Sequence, residues 1–316
     1  GEGVWEVRHG ALLGLKYCLP AREDLLPELL PLATPPLLQA LADDDDDVRA
    51  GAAASLLGVA SHLEELVPSR LLPRLLGALW DALTSVDDLT ASTASVMALL
   101  ASLCASLPYA TLAAAEAQGV AEVISPLPAE AKGGSPPPSL RSGVSLFSLV
   151  VPRLWPFMHR HPAADVRAAA MATLERLAAA SARSEAEAGG GAAAGWLPPL
   201  LPTALRLLLQ ALLLDAAPKA HAAAGRAWRS LLATSTPEAL RRASTAHRSS
   251  WLDLLAIPDS VPPHASLVFS PEGGGGRGGG VAAEDAAATA ESRARAAAAL
   301  GLLAAACEGG GRGEAA

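Results

Sequence analysis

The chain has 316 residues, 51% of them hydrophobic, and a formal net charge of −8. With no basic excess to neutralise phosphates, this charge argues against the chain itself being a general nucleic-acid binder. Its three cysteines, Cys18, Cys104 and Cys307, are far apart and lack metal-ligand spacing. They predict buried packing in a reduced intracellular compartment rather than a disulfide framework or a zinc site.

Phe, Tyr and Trp together make up only 3% of the chain, while Leu and Ala dominate it. Leu and Ala favour helix, and strands favour the β-branched and aromatic residues that are scarce here. An all-α protein follows. The abundance of Ala fits closely spaced helix pairs and equally a compositionally biased genome.

Trp5–Leu19 is predicted as the second helix of a truncated first repeat, ended by Pro20 and the polar Arg22-Glu23-Asp24. Leu25–Leu41 is the next first helix, with a break expected near Thr34-Pro35-Pro36, because proline removes a donor and clashes with the preceding turn. Asp43–Asp47 is a turn, and Val48–Leu66 the partner helix. The next pair is Arg70–Leu83, with Pro73 in its first turn where proline is tolerated, and Leu89–Leu107. Val144–His159 pairs with Ala164–Ala180, and Leu200–Leu214 with Ala217–Leu232. Trp251–Leu255 and Arg293–Cys307 read as pieces of further repeats. Leu197–Leu214 contains Arg206, Gln210 and three prolines near its start, so it reads as a buried helix rather than a membrane span of about 20 apolar residues.

An acidic turn followed by Val-Arg and an apolar helix recurs along this order. It reads Trp5-Glu6-Val7-Arg8, Asp46-Asp47-Val48-Arg49 and Ala164-Asp165-Val166-Arg167, with a degenerate copy at Asp87-Asp88-Leu89-Thr90. Val7 to Val48 is 41 positions, as is Val48 to Leu89. A period near 40 with two helices per repeat is the signature of a HEAT or armadillo α-solenoid of antiparallel helix pairs. From Leu89 to Val166 is 77 positions, 36 more than one period, and the surplus maps onto Ala110–Arg141 with its Lys132-Gly133-Gly134-Ser135-Pro136-Pro137-Pro138 run. Ser184–Gly195, Ser270–Gly280 and Glu308–Ala316 are further Gly-rich inserts or tails, expected to be disordered. The resulting layout is HEAT repeats over 1–109, a Gly/Pro-rich insert over 110–143, HEAT repeats over 144–257, a linker over 258–292 and a helix with a disordered tail over 293–316. No signal peptide is visible, and an opening on Gly1 inside a repeat motif reads as a fragment.

Five consecutive carboxylates, Asp43, Asp44, Asp45, Asp46 and Asp47, raise the possibility of Ca²⁺. An EF-hand loop needs Gly at its sixth position and Glu at its twelfth, and counting from Asp43 those positions hold Val48 and Ala54. The better reading is structural: one Asp caps the following helix and the cluster suits its positive N-terminus. Arg8, Arg49 and Arg167 follow their turns at equivalent positions, which predicts a structural ladder between turn carboxylates and arginines. His159-Arg160-His161 is the only close histidine pair, expected at a helix C-terminus where a cation suits the dipole. The Gly273–Gly280 run lacks the strand and helix that would aim it at a phosphate. No GxxxxGK[ST] loop and no nucleophile beside a histidine is visible, so no catalytic residue, cofactor site or metal site is assigned.

Three stretches carry a resemblance. The first is Trp5-Glu6-Val7-Arg8-His9-Gly10-Ala11-Leu12-Leu13-Gly14-Leu15-Lys16-Tyr17. The second is Leu79-Trp80-Asp81-Ala82-Leu83 with Asp87-Asp88-Leu89-Thr90-Ala91-Ser92-Thr93. The third is Val151-Pro152-Arg153-Leu154-Trp155-Pro156-Phe157 with Asp165-Val166-Arg167. In this order they resemble the HEAT-repeat region of the TATA-binding-protein-associated factor 172 family, nuclear ATPases of the SWI/SNF class that remove TATA-binding protein from promoter DNA. The resemblance covers residues 4–182 and, more loosely, 196–232. It implies a nuclear, non-enzymatic scaffold that holds TATA-binding protein through inter-helix turns. It places ATP in a C-terminal motor with no counterpart here, and it brings in promoter DNA only indirectly. No membrane and no small-molecule substrate is implied. The Gly/Pro-rich inserts and the tail after Ser270 depart from the family pattern.

A solenoid presents its turns along one edge. Asp43–Asp47 with Asp87 and Asp88 would make that edge negative and complementary to a basic, DNA-binding partner, which sets encounter rate and register more than affinity. These seven aspartates are therefore the candidate partner-binding residues. The competing reading is a generic HEAT adaptor in transport or phosphatase assembly.

Overall fold

The computed structural model describes residues 4–83, 91–112, 147–159, 161–187, 196–245, 247–248, 251–252 and 283–308. All regular structure among them is helical. The chain forms two compact units, Gly1–Leu197 and Pro198–Ala316. The division falls inside the span 144–257, at the proline pair that opens a new helix.

The first unit contains α1 (Trp5–Ala21), α2 (Leu26–Leu41), α3 (Asp46–Leu57), α4 (Leu63–Leu66), α5 (Leu72–Ala82), α6 (Ala91–Ser106), α7 (Phe147–Val150), α8 (Trp155–His159) and α9 (Ala164–Glu187). Second helices stack in one layer: α3 packs between α1 and α6, and α6 between α3 and α9. The first helices α2 and α5 lie against each other and against that layer. Two helical layers around one apolar seam is the HEAT/armadillo solenoid arrangement, so the all-α solenoid expectation holds. The seam is aliphatic. Leu26, Leu30, Leu37, Val48, Leu56, Leu75 and Leu79 are at most 1% exposed. An aromatic cluster closes its far end, with Tyr109 5.9 Å from Phe147 and Phe147 5.7 Å from Trp196.

Three helix expectations need correction. The helix Leu26–Leu41 runs unbroken through Pro31, Pro35 and Pro36. Pro35, Pro36 and Leu32 are exposed, so carbonyls freed by the missing donors face water, while the buried apolar stripe holds the helix. The Thr34 hydroxyl adds a bond to the Leu30 carbonyl at 2.6 Å. The expected helix Val48–Leu66 ends instead at Leu57. At Gly58, which lies against Pro20, the chain turns through a 3₁₀ segment, Ala60–His62, into α4. The expected helix Val144–His159 divides into α7, a 3₁₀ turn Val151–Leu154 and α8, because Pro152 and Pro156 each remove a donor.

The second unit contains α10 (Leu197–Leu214), α11 (Pro218–Thr234), α12 (Pro237–Thr245) and α13 (Ala283–Glu308). Helix α13 packs on α11 and α12 and begins well before the expected Arg293. Trp228 is fixed there by an indole N–H donated to the Ala299 carbonyl at 2.9 Å. Helix α10 is long and apolar enough to cross a membrane, yet half of it is buried, with Leu201, Ala204, Leu205 and Leu208 at 0% exposure. Most of the Ala110–Arg141 insert, Ser270–Gly280, and Asp87 and Asp88 lie outside the described residues. The cysteine expectation is only partly met. Cys104 is buried, its thiol pushed up to about 12 by desolvation, whereas Cys18 is exposed on α1 and Cys307 half-buried.

Candidate functional site: the edge of helix-joining turns

The turn at residues 43–49 is built from the inside by its own side chains. Asp43 Oδ1 accepts the Asp45 N–H at 3.0 Å, closing an Asx turn that sets up the next helix. Asp45 is the N-cap of α3 and accepts the Val48 N–H at 3.1 Å. Arg49, one turn into α3, folds back and donates to the carbonyls of Asp43 and Asp44 at 2.7 and 3.0 Å and to Asp46 Oδ1 at 3.0 Å. One guanidinium thereby satisfies two main-chain acceptors that the turn leaves open.

Neighbouring repeats are tied to this turn. Arg8 of α1 pairs with Asp43 at 2.9 Å, and that guanidinium holds the Asp43 carboxyl below its ordinary range. Asp46 Oδ2 accepts the Ser92 N–H in the first turn of α6 at 3.1 Å. His9 Nδ1 lies 3.1 Å from the Asp47 carbonyl. Three successive second helices are thus joined through Asp43 and Asp46. Their carboxylates diverge toward separate donors instead of converging on a cation-sized space.

Arg167 repeats the Arg49 geometry, donating to the carbonyls of His161 and Pro162 at 2.6 and 2.9 Å. Here His161 replaces Asp43: its Nδ1 accepts the Ala163 N–H at 3.1 Å. His161 was expected to serve a helix dipole; it is the turn's own acceptor instead. It is 6% exposed, and burial, then repulsion from Arg167, moves its pKa down. The second unit holds a further turn of the same kind. Asp215 Oδ1 accepts the Ala217 N–H at 2.9 Å, and His221 meets the Asp215 carbonyl where Arg49 and Arg167 meet theirs.

The turn acceptor and the side chain that meets the turn's carbonyl stand six residues apart in these three turns: Asp43 and Arg49, His161 and Arg167, Asp215 and His221. Asp215 and His221 escaped the sequence reading, and His161 was assigned to a helix dipole, because that reading tracked Val-Arg and two of these turns change one member of the six-residue pair. The six-residue interval was the usable signal. Arg153 was also missed as a tie. It donates to the Trp80 carbonyl at 3.0 Å and lies 3.7 Å from Asp81, so it joins two of the family-like stretches at the C-terminus of α5.

Of the seven aspartates, Asp43, Asp45 and Asp46 are occupied within the fold, and Asp87 and Asp88 lie outside the described residues. Asp44 and Asp47 are exposed, and among the described residues only their carbonyls are engaged. Asp44 also lines a groove of about 440 Å³ between the end of α2 and α5, together with Leu41, Arg74, Gly77, Ala78 and Asp81.

The HEAT-like repeat family matches residues 5–56, the segment that holds α1, the turn and α3. The human TATA-binding protein-associated factor 172 is 34% identical over 258 residues, 82% of this chain and 12% of that protein. The Arabidopsis thaliana TATA-binding protein-associated factor BTAF1 is 34% identical over 84% of this chain and 13% of its own length. The Saccharomyces cerevisiae factor MOT1 is 31% identical over 53% of this chain. A designed armadillo repeat protein superposes over 96% of this chain and 95% of its own, with a TM-score of 0.49 and 17% identity. The chain therefore spans 12% of the human relative and 13% of the Arabidopsis one, and by its sequence it belongs, as a HEAT-repeat segment, to the TATA-binding-protein-associated factor 172 family.

Proposed function

We propose that this segment binds TATA-binding protein along the edge of turns in its first unit, acting in the nucleus as the scaffold of a regulator whose ATP-driven motor lies outside it. The single observation that carries the reading is the 34% identity to human TATA-binding protein-associated factor 172 across 82% of the chain. The turn supports it physically. Asp44 and Asp47 project from a main chain that Arg49 and Asp45 bond in place, so binding need not order the turn's backbone. Promoter DNA enters only through the partner.

The test replaces these two residues alone. Asp44→Asn and Asp47→Asn remove two charges and leave the Asx turn, the N-cap and the Arg49 bonds intact. Association with purified TATA-binding protein is followed by stopped flow at two ionic strengths. The double variant should associate several-fold more slowly at low salt, with the difference shrinking as salt screens long-range attraction. Equal rates at both salts would take this turn out of the interface. Capture of transport cargo or phosphatase subunits instead of TATA-binding protein would favour a generic adaptor.

A further inference from the structure

A groove of about 270 Å³ lies between α11 and α13 in the second unit. Its apolar lining includes Leu212, Trp228 and Leu302, and its charged or titratable lining is His221, Arg229 and Arg295, with no carboxylate among the described residues that line it. His221 meets Arg295 at 3.4 Å, and the Trp228 indole reaches the Ala299 carbonyl, so α11 and α13 run in the same direction here. Arg295 is committed within the unit. It is held by Glu291 and Ser292 at 2.8 Å each and by the Leu212 carbonyl at 3.4 Å. His221 is likewise spent on the Asp215 carbonyl. Arg229, about two helical turns beyond His221, is exposed and makes no hydrogen bond or ion pair among the described residues. Leu302, 47% exposed, leaves apolar surface open in the same groove.

Gly225 follows Ala222-Ala223-Ala224 in the middle of α11. A Cβ there would stand 3.7 Å from Arg229 Nη1 and 4.0 Å from Leu212 Cδ2, both ordinary van der Waals separations. Packing within the unit therefore does not require glycine, and a glycine inside a helix is less stable than an alanine. What its missing methyl provides is room for another chain to approach α11 between Leu212 and Arg229.

We propose that this groove binds a short amphipathic helical peptide of a partner protein, with a large apolar side chain seated over Gly225 and a neighbouring Asp or Glu paired with Arg229. Size and charge specify the occupant. The groove is smaller than the ~300–1,000 Å³ of small-molecule sites, so it suits side chains rather than a cofactor. A chain of net charge −8 disfavours an extended polyanion, whereas a single carboxylate needs only one open guanidinium. The proposal rests on the second unit alone and is independent of the TATA-binding protein reading.

The probe is a fluorescein-labelled synthetic peptide, Ala-Glu-Leu-Ala-Glu-Leu-Leu-Ala-Phe-Leu-Glu-Ala, added to the intact chain and followed by anisotropy. Copies with every Glu replaced by Gln or by Lys, and a labelled oligothymidylate, are the comparisons. Gly225→Leu fills the groove and Arg229→Glu reverses its open charge. Each should weaken binding of the acidic peptide by about tenfold or more, with the helical melting temperature unchanged or, for Gly225→Leu, raised. The Gln copy should bind the parent several-fold more weakly, and the Lys copy should bind Arg229→Glu better than it binds the parent. If Gly225→Leu melts early, Arg229→Glu with the acidic and Lys peptides decides alone. A parent that does not bind the acidic peptide, or binds it no better than the Gln copy, would overturn the proposal. So would acidic-peptide binding undiminished in Arg229→Glu. Oligothymidylate binding that Arg229→Glu abolishes would assign the groove to nucleic acid and also overturn it.

Discussion

Arg49 reaches two main-chain carbonyls and a carboxylate from a side chain only 23% exposed. Removing it strands acceptors that its turn does not satisfy otherwise. Arg49→Ala should therefore cost about 1–2 kcal/mol in a denaturant titration, with Lys restoring only part because a point charge cannot bridge all three acceptors. An unchanged midpoint together with lost partner binding would make Arg49 an interface residue instead. His161 carries a pH dependence of definite sign. Its unfolded pKa is about 6.5 and its folded pKa is lower, so the unfolded chain takes up the proton first as pH falls. The stabilisation is whole above about pH 6.5 and is lost progressively below it, toward the folded pKa. His161→Asn keeps an acceptor for Ala163 and cannot titrate. Denaturation midpoints at pH 7.5 and 5.5 should diverge more for the parent than for this variant; equal divergence would contradict the turn-acceptor role. The Asp43 carboxyl, held down chiefly by Arg8, adds stability present above the ordinary carboxylate range and lost as pH falls through its folded pKa.

At the scale of the element, capping and close approach set the α1–α3–α6 stack. Asp45→Ala removes the N-cap of α3 and should cost about 1 kcal/mol. Asp46→Ala strands the Ser92 amide and one Arg49 donor, so it should cost more than Asp45→Ala in the same assay. Equal losses would show that the tie to α6 contributes nothing. Much of this layer was legible in the chain. The 41-residue offset placed Val48 and Arg49 opposite Val7 and Arg8, and the helix-forming stretches around them formed. What could not be read were events decided by packing. Helix α2 survives its prolines because its buried face is leucine-rich and its one buried polar side chain, Thr34, bonds to the Leu30 carbonyl, and Val48–Leu66 bends at Gly58 because Val59, Ala60 and Leu63 must reach the core. The candidate site was legible as an acidic cluster but not residue by residue. Five identical side chains give no hint that Asp43, Asp45 and Asp46 turn inward while Asp44 and Asp47 stay in solvent.

For the whole molecule, the proposed function has stability and recognition draw on different groups of the same turn. Asp43, Asp45, Asp46 and Arg49 hold the repeats together, and Asp44 and Asp47 are the exposed carboxylates to which the proposed function assigns the partner. That separation lets binding be probed without unfolding. On the proposed function, holding the partner requires only the ordered edge and no ATP. The most direct measurement is equilibrium titration of the intact 316-residue chain with purified TATA-binding protein, without nucleotide or DNA, the chain's helical melting being recorded in the same buffer. A saturable complex formed without ATP and weakened by Asp44→Asn with Asp47→Asn is the predicted result. A well-folded chain that shows no binding at any concentration reached would contradict it.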